Sequence, residues 1–223
     1  MTRQPAAEPA GPGGQLLAAV RVMDLLRSPG GCPWDAEQTH RSLAPYLLEE
    51  AYETLEAIEQ DDLAALREEL GDLLLQVLFH ARLAEEAEPD RRFGIEQVAG
   101  DLIAKLTRRH PHVFGEVTAD TAERVASNWE EIKRTEKRRS SVTEGVPLNQ
   151  PALSLAAKLI SRVARTELAV PAPAGDGIGE RLFALVTEAA RAGVDPELAL
   201  RDTVLRYREA VRAAEQSDRT SSE

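Results

Sequence analysis

Apolar residues between Leu47 and Leu78 recur at every third or fourth position in two successive runs. The first run consists of Leu48, Ala51, Leu55 and Ile58, and the second of Leu63, Leu66, Leu70, Leu73, Leu74 and Val77. This spacing is typical of amphipathic α-helices. The residues between the runs include Asp61 and Asp62, and either aspartate can cap the start of the second helix. The pattern therefore predicts a helical hairpin that turns near Asp61.

Two acidic pairs lie on this hairpin. Glu50 and Glu53 are three residues apart, so they share a face of the first helix, and Glu69 and Asp72 repeat the spacing on the second. Both pairs are similarly far from the turn, so an antiparallel hairpin brings them level, roughly 14 Å from it. Four converging carboxylates repel one another unless a cation lies among them, and Mg²⁺ or Mn²⁺ prefers such oxygen ligands. The sequence therefore predicts a divalent-metal site.

The simpler interpretation is that these acids are solvated surface residues, because 29% of the chain is charged and a short acidic motif alone is weak evidence. The paired, level arrangement beside the apolar stripe favours the metal site. Gly71 supports it as well. A mid-helix glycine costs about 1 kcal/mol relative to alanine, so we expect Gly71 to leave room beside Asp72 for a neighbouring helix or a ligand.

These acids resemble the signature of the MazG-type nucleoside triphosphate pyrophosphohydrolases, which is EExxE followed after a spacer by ExxD. The matching residues are Glu49, Glu50, Glu53, Glu69 and Asp72. The resemblance extends to GCPWDAEQTH before the hairpin and KLTRRHPHVFG after it, and it covers roughly residues 13 to 140. It implies an all-α fold, with helical hairpins that form a four-helix-bundle-like core completed by dimerisation. It also implies a Mg²⁺-dependent enzyme that splits a nucleoside triphosphate into monophosphate and pyrophosphate.

The resemblance also suggests roles for individual residues. The five acids are expected to bind the metal, with Glu50 or Glu53 helping to activate the attacking water. Lys105 and Arg109 lie four residues apart in a predicted helix over 95–109, and they match the family's KxxxR helix as a triphosphate clamp. The alternative is that these cations only favour the helix C-terminus.

The family's NWExxK motif matches further along the chain. It implies that Trp129 packs near the nucleotide and that Lys133 contacts a phosphate, although core packing also explains Trp129. His110 and His112 are spaced like a metal pair, but without a third nitrogen ligand a structural or capping role is favoured. Trp34 follows a Pro/Gly-rich segment predicted to be a loop. A hydrophobic plug is the favoured role for Trp34, and a stacking surface for a base is the alternative.

Composition narrows the class of protein. The 223 residues contain 43% hydrophobic but only 4% aromatic residues, which suits helix packing. A net charge of −11 argues against a nucleic-acid polymer as partner. No apolar run reaches transmembrane length and the N-terminus lacks the apolar core of a secretion signal, so we expect a cytoplasmic protein without a membrane partner. A single cysteine, Cys32, excludes an internal disulfide.

The sequence predicts four segments: a disordered lead over 1–13, a catalytic domain over 14–140, a degenerate second MazG-like region over 141–216, and a polar tail over 217–223. The second region resembles the latter part of a repeated catalytic unit. It departs from the pattern because GIGE, from Gly177 to Glu180, stands where ExxD is expected, and a Pro/Gly-rich segment replaces the preceding acidic helix. We therefore expect catalysis only in the N-terminal half.

A second class of function remains open, namely a non-catalytic helical dimerisation or interaction module that retains the fold. The intact acid set favours the enzyme. A di-iron carboxylate bundle is a weaker option, because neither Glu53 nor Glu69 is followed three residues later by histidine. The preferred base and sugar are not specified by any motif in the sequence.

Overall fold

The structure is a computed structural model that describes residues 11, 13–115, 117, 121, 124–125, 129, 132 and 141–221. All regular secondary structure in these ranges is α-helical, which confirms that the fold is all-α. The labelled helices are α1 (Gly14–Arg27), α2 (Pro33–Glu37), α3 (His40–Glu59), α4 (Leu63–Ala84), α5 (Ile95–Arg109), α6 (Pro111–Phe114), α7 (Ala152–Val163), α8 (Ile178–Arg191) and α9 (Pro196–Ser221).

The chain divides into two compact units. The described residues up to Trp129 form the first unit and those after it form the second. Every predicted site residue that the structure describes belongs to the first unit. Lys133 lies outside the described residues.

Helices α3 and α4 form the predicted hairpin and pack against each other more extensively than any other pair of labelled helices. Asp61 adopts a left-handed conformation in the turn, with φ of 53°. Asp62 caps α4, since its Oδ1 accepts hydrogen bonds from the N–H groups of Ala64 at 2.9 Å and Ala65 at 3.0 Å. The turn thus follows from the local chemistry of two aspartates.

Two differences from the sequence prediction occur in the first unit. Helix α3 begins at His40 rather than near Leu47, because Thr39 and Ser42 form a capping box before Pro45 enters the helix. The predicted loop around Pro33 also contains the short helix α2. Proline is tolerated there because it occupies the first helical position, where its missing N–H has no intrahelical partner.

The core of the first unit lies at the end of the hairpin away from the turn. Helix α1 packs against the C-terminal half of α4, and the start of α3 closes the same core. Its buried cluster consists of Met23, Leu43, Leu78, Phe79 and Leu83. The acidic pairs therefore lie between this core and the turn at Asp61.

An ion-pair network fastens α1 to the end of α4. Arg27 donates to both carboxylate oxygens of Glu86, at 2.8 and 2.9 Å, and Arg82 donates to Asp24 at 2.8 Å. The hydrogen bond from Arg27 is the main reason that the pKa of Glu86 lies below its ordinary value. Because the Arg27 side chain is only 7% exposed, this bidentate pair is screened less than a surface ion pair.

Few residues are fully buried in the described part of the second unit. Helix α7 packs against α8 and α9, with Val146 and Val186 buried. Arg162 on α7 donates to the backbone carbonyls of Val142 at 3.0 Å and Glu144 at 2.8 Å. Asp195 caps α9, and α9 continues to Ser221, so the described part of the expected polar tail is helical.

His40 and His80 join the start of α3 to the second half of α4. Their Nδ1 atoms are 2.8 Å apart and their ring planes differ by 1°, which is the geometry of an in-plane N–H···N hydrogen bond. Such a bond requires a proton on only one of the two Nδ1 atoms. Burial, followed by the proximity of His40, lowers the pKa of His80. The lowered pKa means that the folded protein favours the neutral form of His80 at this contact.

We expect this contact to stabilise the fold less as the pH falls. A lowered pKa means that the folded protein binds fewer protons at His80 than the unfolded chain, whose histidines titrate near pH 6.5, at about the ordinary value. The stabilisation is complete above that pH and is lost as the pH falls through the lowered pKa. The difference in melting temperature between wild type and His80→Phe should therefore shrink from pH 8 to about pH 5. A difference that does not change with pH would contradict this role.

Candidate metal centre

Three carboxylates converge on the hairpin. Glu50 on α3 and Glu69 and Asp72 on α4 each place one oxygen within 4.8 Å of the others, and all three residues are partly buried. Glu50 and the pair of Glu69 and Asp72 lie at similar distances from the turn, as predicted. Of the first acidic pair, Glu50 therefore meets both members of the second. The convergence follows from helix rise and the Asp62 cap.

The electrostatics of the cluster disfavour its fully charged form. Burial is the main cause of the raised pKa of Glu50, followed by the negative charges of Asp72, Glu53, Glu69 and Glu49. Burial and the neighbouring carboxylates also raise the pKa of Glu69. In the described part of the chain, no hydrogen bond or ion pair reaches the three clustered carboxylates. The repulsion is therefore not relieved by a protein cation there.

The donor set fits a hard divalent cation. Oxygens bound to Mg²⁺ at about 2.1 Å lie roughly 3 to 4 Å from one another, so oxygens within 4.8 Å need only a small closure. The set contains carboxylates only, which favours Mg²⁺ or Mn²⁺ over the softer metals that prefer histidine or cysteine. A bound cation would also offset the repulsion that raises the pKa of Glu50 and Glu69.

The structure does not place all five predicted acids in one cluster. Glu49 and Glu53 are exposed and fall outside the group of three. Glu53 is still close enough for its charge to raise the pKa of both Glu50 and Glu69, whereas the effect of Glu49 is the smallest contribution at Glu50. Glu53 therefore borders the cluster.

Gly71 lies next to Asp72 on an exposed part of α4. A Cβ atom added at Gly71 meets no atom within 4 Å. No neighbouring helix of the described chain therefore requires the glycine, and the space beside Asp72 is open to a ligand or another molecule.

Gly71→Ala is expected to raise the free energy of unfolding by up to about 1 kcal/mol, because alanine is the better helix former. It should also lower the triphosphate hydrolysis expected from the sequence, because the added methyl group narrows the open space beside Asp72. Gly100→Ala provides a matched control, since Gly100 lies within α5 and its added Cβ also meets nothing within 4 Å. Urea unfolding and steady-state kinetics on both variants measure the two effects. Equal activity in the two variants would argue against a functional gap at Gly71.

Lys105 and Arg109 differ in burial although both belong to α5. Lys105 is exposed, whereas Arg109 is 9% exposed and its guanidinium lies 5.3 Å from the centre of the Trp129 ring. The geometry is that of a cation–π contact. The predicted substrate residues Arg109 and Trp129 thus touch each other, while Lys105 extends from the helix surface.

His110 ends α5, and its Nδ1 lies 2.7 Å from the carbonyl oxygen of Leu106. This contact confirms the capping role expected for this residue. Its ring also meets Trp129 edge-on, with centroids 4.8 Å apart, a contact that sequence reasoning missed. Trp34 is 51% exposed and makes edge contacts with Tyr46 and the buried Phe79, so both a plug and a stacking surface remain consistent with its position.

The hairpin and its carboxylates define an all-α protein with a candidate divalent-cation site. Comparison with known proteins assigns the family. Residues 38–114 match the MazG nucleotide pyrophosphohydrolase domain. A nucleoside triphosphate pyrophosphohydrolase of Escherichia coli K12 is 40% identical over 81% of this chain and 70% of its own length. The Thermotoga maritima protein named nucleoside triphosphate pyrophosphohydrolase/pyrophosphatase MazG is 38% identical over 88% of this chain and 84% of its own length. The chain belongs to the MazG family.

Two further relatives each cover 92% of this chain. An uncharacterized 26.1 kDa protein of Streptomyces cacaoi is 53% identical over 92% of this chain and 84% of its own length. A nucleoside triphosphate pyrophosphohydrolase of Mycolicibacterium smegmatis is 44% identical over 92% of this chain, which spans 60% of that protein's length.

Within the described residues, no helix combines the length and apolar character needed to cross a bilayer.

Proposed function

We propose that this protein hydrolyses nucleoside triphosphates to the monophosphate and pyrophosphate with Mg²⁺, and that Mn²⁺ can replace it. The convergence of Glu50, Glu69 and Asp72 carries the proposal, because three carboxylates with no cationic partner among the described residues suit a divalent metal. Relatives named nucleoside triphosphate pyrophosphohydrolase, at 38–44% identity, support the same activity. Membership of this family also supports a cytoplasmic location.

Within this proposal, Glu50, Glu69 and Asp72 hold the metal, and Glu49 adds to the negative field around it. A Mg²⁺ ion held by these carboxylates would polarise the phosphate chain and offset its charge. Glu53, whose charge acts on Glu50 and Glu69, is proposed to accept a proton from the attacking water, with Glu50 as the alternative base. The water oxygen bonds to the α or the β phosphorus, the bond from that phosphorus to the oxygen bridging the two breaks, and monophosphate and pyrophosphate separate.

The substrate contacts in this proposal come from the C-terminal end of α5 and the segment beyond it. Arg109 and Lys105 bind phosphate oxygens, with Arg109 held against Trp129 and Lys105 extended into solvent. Trp129 packs against the nucleotide. Lys133 is assigned a phosphate contact from the sequence motif alone.

A second copy of the chain is the proposed partner for the apolar surface of α4. Leu63, Leu70 and Val77 are spaced seven residues apart on α4 and are 74%, 51% and 43% exposed. Apolar residues at this spacing form a stripe along one side of a helix, as in packed helical bundles. A homodimer would bury the stripe and complete a four-helix bundle.

Leu63→Glu is expected to convert the dimer to a monomer, because a carboxylate placed in the stripe must be desolvated on association. Leu148→Glu is the control, since Leu148 is also 74% exposed but lies in the second unit. Light scattering should give about twice 24.4 kDa for wild type and the control, and 24.4 kDa for Leu63→Glu. A monomeric wild-type protein at micromolar concentration would contradict the proposed assembly.

The catalytic domain is proposed to be residues 14–140, with residues 141–216 as a degenerate second copy. In the second unit Glu180 lies in the first turn of α8, at the position expected for the second acidic cluster. The described residues 167–177 before α8 contain no helix that could present a partner pair. Glu180→Ala should therefore retain hydrolysis, whereas loss of activity without unfolding would place chemistry in this half.

The deciding experiment is product analysis with purified protein. Canonical and damaged nucleoside triphosphates are each incubated with Mg²⁺, with Mn²⁺ or with chelator, and monophosphate and pyrophosphate are quantified. Metal-dependent release of both products in equal amounts supports the proposal. A dimer that hydrolyses none of these substrates would instead support the non-catalytic interaction module.

A further inference from the structure

Arg109 and His110 are consecutive in the chain, yet both contact the ring of Trp129. Side chains of consecutive residues within an α-helix diverge by about 100°, so they do not normally meet one partner. The backbone leaves the helix at His110, where φ is −121° and ψ is 58°. Pro111 explains this change, because a proline disfavours the α conformation of the residue before it. The helix end therefore creates the shared contact.

The orientation of the His110 ring is set by α5 itself. Nδ1 lies 2.7 Å from the carbonyl oxygen of Leu106, and a carbonyl oxygen can only accept. Nδ1 therefore carries the hydrogen, which fixes the tautomer of the neutral ring. Its edge contact with Trp129 has ring centroids 4.8 Å apart and planes at 72°. This geometry is favoured by the quadrupoles of the two rings.

We propose that His110 is a positioning residue that holds Trp129 against Arg109. This inference rests on the proposed function, in which Arg109 and Trp129 contact the nucleotide. Arg109 is nine-tenths buried, so the placement of its guanidinium depends on what packs over it, and Trp129 is the aromatic ring found there. By contacting that ring and holding its position, His110 sets where Arg109 meets substrate without itself touching substrate.

The test distinguishes the contribution of the His110 ring to holding Trp129 from that of the His110 hydrogen bond. His110→Ala removes both, His110→Phe retains a ring without the Nδ1 donor, and His110→Asn retains a donor without the ring. Val113→Ala is the control, because Val113 is 65% exposed on the adjacent α6. Time-resolved anisotropy of Trp129 is measured without nucleotide in a Trp34→Phe background, where it is the sole tryptophan. Kinetics are measured with Trp34 present.

We expect His110→Ala to increase the local motion of Trp129 and to raise KM about tenfold, with kcat changed less than about twofold. His110→Phe should restore most of the anisotropy and of KM, whereas His110→Asn should restore little. Unchanged Trp129 motion in His110→Ala would overturn the inference, whether or not the wild type hydrolyses nucleotides. Increased motion with an unchanged KM would also overturn it. Absence of wild-type hydrolysis would instead refute the proposed function, and the anisotropy would still decide whether His110 orders Trp129.

Discussion

Asp72→Asn is expected to lower kcat/KM for triphosphate hydrolysis by about a thousandfold while leaving the metal-free protein at least as stable as wild type. The loss of activity follows because a bound divalent cation contributes several kcal/mol of charge stabilisation, and each 1.36 kcal/mol is worth about tenfold in rate. The retained stability follows because the substitution removes a charge that helps to raise the pKa of Glu50 and Glu69.

Thermal unfolding with and without Mg²⁺ distinguishes this role from a structural one. A cation that binds only the folded protein raises the melting temperature of wild type, and this increase should vanish in Asp72→Asn. Glu88→Gln removes the same charge at an exposed position outside the cluster and should behave as wild type. A variant that melts earlier without metal but retains activity would show that Asp72 supports the fold and not catalysis.

Arg109→Ala is expected to lower kcat/KM by roughly tenfold to a hundredfold. A hydrogen bond to a charged group contributes about 1.5–3 kcal/mol, and Arg109 is buried against Trp129, where solvent screens it less than a surface cation. Lys105→Ala should have a smaller effect because Lys105 is exposed. Metal binding should persist in both variants.

Arg108→Ala is the matched control for this experiment, since it removes the same side chain from the neighbouring, exposed position on α5. Steady-state kinetics and the Mg²⁺-induced rise in melting temperature are compared across the three variants. Equal kinetics in the three variants would indicate that Arg109 and Lys105 only stabilise the C-terminus of the helix.

The hairpin could be predicted because its determinants are local. The spacing of apolar residues predicts two helices, and Asp62 caps the second. The acidic pairs lie at similar distances from the turn, which places them at the same height on the two helices. The same argument applies to His40 and His80, which are also at similar distances along the chain from Asp61. Those histidines were missed because the first helix was expected to begin near Leu47, which left His40 outside it.

The burial of Arg109 could not be predicted from the sequence. Helical spacing places Lys105 and Arg109 on one face and assigns them similar exposure. Arg109 is instead buried and contacts Trp129, which belongs to a later segment, and the apolar spacing within α5 gives no indication of that contact. Contacts between residues distant in sequence depend on tertiary packing. For the same reason, the sequence indicated five acids without distinguishing Glu50, Glu69 and Asp72 as the ones that converge.

The raised pKa of Glu50 and Glu69 makes the proton a competitor of any cation at this site. Without a cation, the cluster can relieve its own repulsion by protonation, and it does so at a higher pH than isolated glutamates would. A metal must then displace those protons, so its apparent affinity weakens as the solution becomes more acidic. The close approach of the carboxylates therefore favours cation binding and also makes the fraction of sites that hold a cation depend on pH.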